Sequence, residues 1–226
     1  MSQRRIKQEA NQDPDDVFVA KVLDVGNWAQ THQQVLTVAG VVAAIGVFGS
    51  IYYMNFRAGH NLEAVQQLEV VHQSVSIRDT EGAKDDLVTF LERYGDTPYE
   101  GEARLLLGQL YLEGGDYQQA QAVLGPLGSS PRSPIELQAA TLLGVSYEQD
   151  GRWVDAEAVY LSIADRSDLD FQVRDALAAA ARIRGAQGDA DGAIELYERV
   201  LGQLEDNSPE RGLIEMRIEE LRTARG

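Results

Sequence analysis

The sequence predicts an all-α protein with one transmembrane helix near its start, followed by an α-solenoid of helical hairpins. Two observations carry this prediction. Residues 35–54, VLTVAGVVAAIGVFGSIYYM, form a run of twenty positions without a charge. Beyond them, a pattern of glycine, alanine and aromatic residues returns at a spacing of 36. A third observation bounds the function: the chain has no cysteine and none of the usual catalytic signatures.

The apolar run comes first. At about 1.5 Å per helical residue it covers roughly 30 Å, the thickness of a bilayer's hydrocarbon core. Tyr52 and Tyr53 stand at one end and Trp28 lies just before the other. Such rings favour the membrane–water interface, so all three are expected as interfacial anchors. The run is longer than a secretory leader's, and Asn55-Phe56-Arg57-Ala58-Gly59 offers no small-x-small cleavage site, so an uncleaved signal anchor is expected. Basic residues before it are Arg4, Arg5, Lys7 and Lys21, and Arg57 follows it. The balance leans toward an N-terminus inside the cytoplasm and a C-terminal domain outside it. Gly40–Ala44 and Gly46–Ser50 have the small-x-x-x-small spacing that lets membrane helices pack closely. Asp13-Pro14 is a helix start, and Phe18, Val22, Val25 and Ala29 then recur at helical steps, with Leu23 and Trp28 beside them. This pattern predicts an amphipathic helix lying on the membrane surface or against a partner.

Charge and composition exclude several function classes. The formal charge is −16; residues 1–34 hold four basic and five acidic residues, the remainder 16 and 31. The C-terminal part is therefore the acidic one, and such a surface repels phosphate backbones, so no nucleic-acid partner is expected. The absence of cysteine removes disulfides, thiolate metal sites and thiol nucleophiles. The three histidines are His32, His60 and His72, with no His-x-x-x-His pair, phosphate-binding loop, nucleophile elbow or dinucleotide fingerprint. Asp85-Asp86 and Glu219-Glu220 are adjacent, and helix neighbours do not share a face. No catalytic residue, metal, cofactor or small-molecule substrate is expected.

The repeat aligns Leu107-Gly108-Gln109-Leu110-Tyr111 with Leu143-Gly144-Val145-Ser146-Tyr147. Each is followed by a glycine (Gly115, Gly151), an aromatic (Tyr117, Trp153), an alanine (Ala120, Ala156) and a large apolar residue (Leu124, Tyr160). A third copy keeps Gly188, Ala193 and Tyr197 but has Ala181 and Arg184 in its first half; an earlier half-copy reads Ala83, Leu87, Phe90 and Pro98. This pattern resembles the tetratricopeptide repeat, a helix–turn–helix unit of about 34 residues. Gly108 and Gly144 would let two helices touch, Gly115 and Gly151 would close first helices, and the tyrosines with Trp153 would fill the wedge between hairpins. About eight helices are expected over residues 80–225. Residues 57–79, with Leu62, Val65, Leu68 and Val71 in register, are expected as a stalk continuing the membrane helix. Glu210–Arg225 would be a capping helix with Leu213, Met216, Ile218 and Leu221 on one face. The expected domains are thus a 1–34 tail with its juxtamembrane helix, a 35–56 transmembrane helix, a 57–79 stalk and an 80–226 repeat domain.

Tetratricopeptide arrays bind partners on the face formed by the first helix of each hairpin. The resemblance places Glu102, Leu105, Gln109 and Leu112 there, then Gln138, Thr141, Val145 and Glu148, then Asp175 and Arg182. This set lacks the Lys/Asn/Arg combination with which co-chaperone repeats clamp a peptide's C-terminal carboxylate.

The order of segments also resembles the ancillary subunit of the bacterial Sec translocon. Three local features carry this: Phe90-Leu91-Glu92-Arg93-Tyr94 with Thr97-Pro98-Tyr99 and Ala103; Gly115-Asp116-Tyr117 with Ala120; and the ending Met216-Arg217-Ile218-Glu219-Glu220-Leu221. The chain departs from that family in its longer N-terminal tail and stronger acidity. The resemblance implies a non-enzymatic scaffold in the bacterial inner membrane, its repeat domain periplasmic, that recruits periplasmic chaperones or newly exported chains beside the translocon. The alternative is an accessory subunit of another membrane complex, respiratory or photosynthetic, contacted through the transmembrane and amphipathic helices. In either case the partners are proteins and membrane lipid.

Overall fold

The computed structural model describes residue 28 and residues 32–224. The amphipathic segment expected around Phe18, Val22, Leu23, Val25 and Ala29 lies outside them. Nine helices are described: α1 Gln33–Ser76, α2 Thr80–Tyr94, α3 Glu100–Gly114, α4 Tyr117–Gly128, α5 Pro134–Gln149, α6 Trp153–Arg166, α7 Asp170–Ala186, α8 Ala190–Leu201 and α9 Pro209–Ala224. The chain forms two compact units, 1–58 and 59–226, and α1 contributes to both. The solenoid helices expected over 80–225 are present as the eight helices α2–α9.

In the first unit, α1 is long and apolar enough to cross a membrane, with a mean hydropathy of 2.1 over its most apolar 18-residue window. Its apolar side chains point outward all round, from Val35 to Met54. That is the surface lipid requires and water disfavours. Two hydroxyls in this stretch bond back to the helix's own carbonyls: Thr37 donates to Gln33 O at 2.7 Å and Ser50 to Gly46 O at 2.8 Å. Neither leaves an unpaired donor facing hydrocarbon. At one end the Arg57 guanidinium lies 5.6 Å from the Tyr53 ring centroid, and at the other the Trp28 and His32 rings stack at 4.9 Å.

The second unit is built from hairpins that share one turn. Gly115, Gly151 and Gly188 adopt φ of 80°, 75° and 85°, the left-handed conformation that closes a first helix. The next residue's N–H then reaches back to a carbonyl of the last turn: Asp116 to Tyr111 at 2.8 Å, Arg152 to Tyr147 at 2.8 Å and Asp189 to Arg184 at 3.0 Å. The same turn occurs a fourth time. Arg78 has φ 62°, and Asp79 N–H donates to Ser74 O at 3.0 Å. Residues 59–76 of α1 are thus the first helix of a hairpin whose second helix is α2, and α3/α4, α5/α6 and α7/α8 follow. Ala64, Leu68 and Val71 are buried with Ala83, Leu87, Phe90 and Tyr94 of α2 and with Ala103 and Leu107 of α3. The stalk expected over 57–79 continues the helix, but most of it is packed into this unit, because Ala64, Leu68 and Val71 recur on one face at steps of four and three.

Helices within a hairpin approach closely. A methyl placed on Gly144 would lie 2.7 Å from Cε1 of Tyr160, and one on Gly108 would strike Leu124. The fourth hairpin manages with Ala181 at this place and is complete, its α7 and α8 sharing a core with α6 and α9. Between hairpins, the second helices α2, α4 and α6 each extend one polar side chain to the end of the next hairpin's first helix or the turn after it. Lys84 donates to Asp116 at 3.3 Å as well as to Glu81 at 3.0 Å. Gln121 donates to Asp150 at 3.1 Å and accepts from Arg152 at 3.1 Å. Glu157 accepts from Arg184 at 2.7 Å. The hydrogen bond from Lys84 to Glu81, with a further one to Asp116, holds its ammonium above the usual lysine range against the burial that lowers it.

Two expectations are corrected. The capping helix buries Ile214 and Ile218, with Leu221 beside them, whereas Leu213 and Met216 are exposed. Ile214, Ile218 and Leu221 fall at i, i+4 and i+7, the steps that keep side chains on one stripe. Trp153 does not fill a wedge: at the first position of α6 it stays 41 % exposed, and Tyr160 and Tyr197 are the buried aromatics of these hairpins.

The shared turn gives a test. Arg78 pays the steric penalty of the left-handed region that the three glycines avoid. Arg78→Gly is expected to stabilise the protein by roughly 0.5–1 kcal/mol, and Gly151→Ala to destabilise it by about 1 kcal/mol. Urea titration of the full chain in detergent, followed by helical circular dichroism, measures both.

Candidate protein-interaction groove

The first helices α3, α5 and α7 stand side by side, and a cleft of about 560 Å³ opens along their shared face. Leu105 and Gln109 come from α3, Gln138, Thr141 and Leu142 from α5, and Phe171, Gln172, Asp175, Ala176 and Ala179 from α7. Tyr160 and Ile163 of α6 complete the lining. Each helix contributes through its own periodicity: Leu105 and Gln109 are four apart, as are Gln138 and Leu142, and Phe171, Asp175 and Ala179 follow at equal steps.

The ten residues expected on this face divide into three groups. Leu105, Gln109, Gln138, Thr141 and Asp175 line the cleft. Glu148 and Arg182, one hairpin apart, bind each other through both guanidinium nitrogens, Nη2 lying 2.8 Å from Oε2, and Tyr160 donates to the same carboxylate at 3.4 Å. Leu112 is half-buried against the cluster around Ala120 and Leu124, Val145 is half-buried, and Glu102 faces His72 at 3.5 Å. Cleft residues not anticipated are Leu142, Tyr160, Ile163, Phe171, Gln172, Ala176 and Ala179. Phe171, Asp175 and Ala179 carried a readable signal, the i, i+4, i+8 spacing on the first helix of the third copy. Tyr160 and Ile163 lie on a second helix, where the repeat comparison did not look.

In the first unit, Gly40, Ala44, Gly46 and Ser50 are all exposed, and a methyl on Gly40 or Gly46 would meet nothing within 4 Å. Trp28, Tyr52 and Tyr53 are exposed as well. Among the described residues, no cluster of three or more His, Asp or Glu side chains is placed to hold a metal ion.

The cleft lining carries one charged side chain, Asp175, and the charges at its edge pair with each other. The hydrogen bonds from Arg182 hold the Glu148 carboxyl below the usual carboxylate range, overcoming the burial that pushes it up. Burial, with the Glu148 charge beside it, pushes the Tyr160 hydroxyl well above the usual tyrosine range, so it stays a neutral donor. What remains is an apolar floor edged by amides and one carboxylate.

The tetratricopeptide repeat-like domain family matches residues 27–223. The chain belongs to this family. Among solved structures, a tetratricopeptide repeat protein from Parabacteroides merdae aligns with a TM-score of 0.60 at 15 % identity, over 71 % of this chain and 60 % of that one. This chain thus spans less than two thirds of that protein. Repeats of nearly identical sequence, TPR-like, from Podospora anserina align with a TM-score of 0.54 at 19 % identity, over 73 % and 87 % of the two chains. The MamA protein aligns with a TM-score of 0.51 at 18 % identity, over 71 % and 86 %. These likenesses concern the fold alone. No curated protein matches the sequence. Tetratricopeptide-like folds are typically non-catalytic scaffolds that mediate contacts between proteins.

The Glu148–Arg182 pair predicts a pH dependence. Because the folded-state pKa of Glu148 lies below its unfolded value, the pair's contribution is fully present above the ordinary carboxylate range, about pH 4.3, and is lost as pH falls through the folded value. Arg182 is more than half exposed, so the contribution stays below about 1 kcal/mol. Glu148→Gln is expected to lower stability near neutral pH by that amount and to match the parent protein in acid. Urea titrations across this range check it.

Proposed function

We propose that this protein is a non-enzymatic, membrane-anchored adaptor that holds segments of protein partners in the cleft between α3, α5 and α7. The observation that carries this reading is the cleft itself. It is apolar at its floor, edged by the exposed amides Gln109 and Gln138, and built from the face with which the family meets its ligands. Side-chain amides can pair with the N–H and C=O groups of a bound backbone whatever its sequence, while the apolar floor takes side chains. The anchor is the apolar part of α1, placed in the bacterial inner membrane with the N-terminus in the cytoplasm and the repeat domain in the periplasm. The partners are newly exported chains and their chaperones, beside the translocon. The local likeness of Phe90–Tyr94, Thr97–Tyr99 and Met216–Leu221 to the translocon's ancillary subunit supports that choice of machinery.

A second reading is favoured by one observation. The exposed small residues Gly40, Ala44, Gly46 and Ser50 leave room for a neighbouring membrane helix. In that reading the protein is an accessory subunit of another integral complex, held through α1.

Site-specific crosslinking tests the first reading against the second. A photoreactive side chain would replace Gln138 in the cleft and, as a reference, Val154, which is exposed on α6 outside it. Adducts with translocon subunits, chaperones or exported chains from position 138 and not from 154 are expected. Equal adducts from both positions, or adducts only from a photoreactive side chain at Gly46, would contradict the cleft reading.

A further inference from the structure

The wall of the cleft formed by α7 carries two side chains that the fold does not use. Phe171 is 53 % exposed, and the Asp175 carboxylate makes no ion pair or hydrogen bond among the described residues. They are four apart on one helix, hence neighbours on one face, and both line the cleft. Beside them Ala176 and Ala179 have side chains too short to fill the space.

An open aromatic ring next to an unneutralised carboxylate is a seat for a cation. The ring face attracts a guanidinium or ammonium group, and the carboxylate accepts its N–H donors. The rest of the lining contains no Lys, Arg or His to compete for Asp175. Asp175 also borders a neighbouring hollow lined by Arg182 and by Arg217 of α9, but both arginines are engaged elsewhere, Arg182 with Glu148 and Arg217 with Glu220 at 2.8 Å. An acidic ligand would have to displace one of those carboxylates, whereas a basic one meets a free carboxylate on a domain rich in acidic residues. Leu105, Leu142 and Ile163 supply an apolar surface in the same cleft.

We infer that the cleft takes a polypeptide segment bearing an arginine or lysine beside a large apolar side chain, with the cation seated between Phe171 and Asp175. This rests on the reading of the cleft as a protein-binding site and adds to it the chemistry of the ligand. The acidity of the domain raises the encounter rate with such a segment, and the Phe171–Asp175 seat sets its register.

The test uses the full chain in nanodiscs of zwitterionic lipid, with empty discs as reference. The probes are three short fluorescent peptides that alternate leucine with arginine, glutamate or glutamine, and binding is read by anisotropy. The leucine–arginine peptide is expected to bind more tightly than the leucine–glutamate peptide. Asp175→Asn is expected to weaken the arginine peptide about five-fold and leave the glutamine peptide unchanged. Phe171→Ala is expected to weaken both, and Glu92→Gln, an exposed acid on α2, to change neither. If the glutamate peptide binds as tightly as the arginine peptide and Phe171→Ala weakens both, the cation seat is wrong while the cleft still binds protein. If Glu92→Gln weakens the arginine peptide as much as Asp175→Asn does, the attraction is overall charge and the seat is again wrong. If no peptide binds, the cleft reading fails together with the inference.

Discussion

A helical hairpin of this length has more apolar surface than its own two helices can cover, and the second unit depends on burying that surface between neighbours. Ala103 and Leu107 of α3 are buried in one cluster with α1 and α2, and Ala176 and Leu177 of α7 in one cluster with α6, α8 and α9. Closeness is the condition. Gly144 admits the Tyr160 ring, and Gly108 admits Leu124. Gly128 brings α4 so near α5 that a methyl there would lie 2.9 Å from the backbone of Ala140. The cleft follows from the same stacking, since it is the space left along α3, α5 and α7 once their other faces are packed. The chain's α9 then covers the last hairpin with Ile214 and Ile218.

Apolar stacking alone does not say which hairpin follows which, and the polar contacts between hairpins do. Lys84, Gln121 and Glu157 occupy one position of successive second helices, yet their partners differ: Asp116 for the lysine, Asp150 and Arg152 for the glutamine, Arg184 for the glutamate. A hairpin stacked out of order would set like charges together or leave a partly buried ion unpaired, which is unfavourable. The next second helix carries Ile194 at this position, and it packs into the terminal core instead. The series of distinct polar pairs therefore ends where the stacking ends.

How much of this could be read from the sequence depends on whether a feature is local. The run long and apolar enough to cross a membrane was legible because the absence of charge is a property of consecutive residues. The turns at Gly115, Gly151 and Gly188 were legible because a left-handed residue selects glycine. The first hairpin was legible only as a half-copy for the same reason: Arg78 stands where glycine is expected and Val71 where the close-contact glycine would be, so its first helix read as a stalk. The face of α9 was misjudged because Leu213 and Ile214 are adjacent, and only packing decides which of them turns inward. Half of the expected groove residues line the cleft, since first helices do face one way. Phe171 and Ile163 escaped notice because a cleft is made by three helices at once, and no single segment records it. Glu148 and Arg182 were expected on the groove face, but that they bind each other is visible only when α5 and α7 are side by side.

The central proposal is that one membrane helix separates a cytoplasmic N-terminus from a repeat domain on the opposite side. The chain has no cysteine, so Ser129→Cys, at the exposed end of α4, introduces a single thiol. Labelling whole cells with a membrane-impermeant maleimide, after permeabilising any outer membrane, and comparing with lysed cells measures the topology directly. Labelling in unlysed cells is the predicted result. Labelling only after lysis would place the repeats in the cytoplasm and contradict the proposed role at the export machinery.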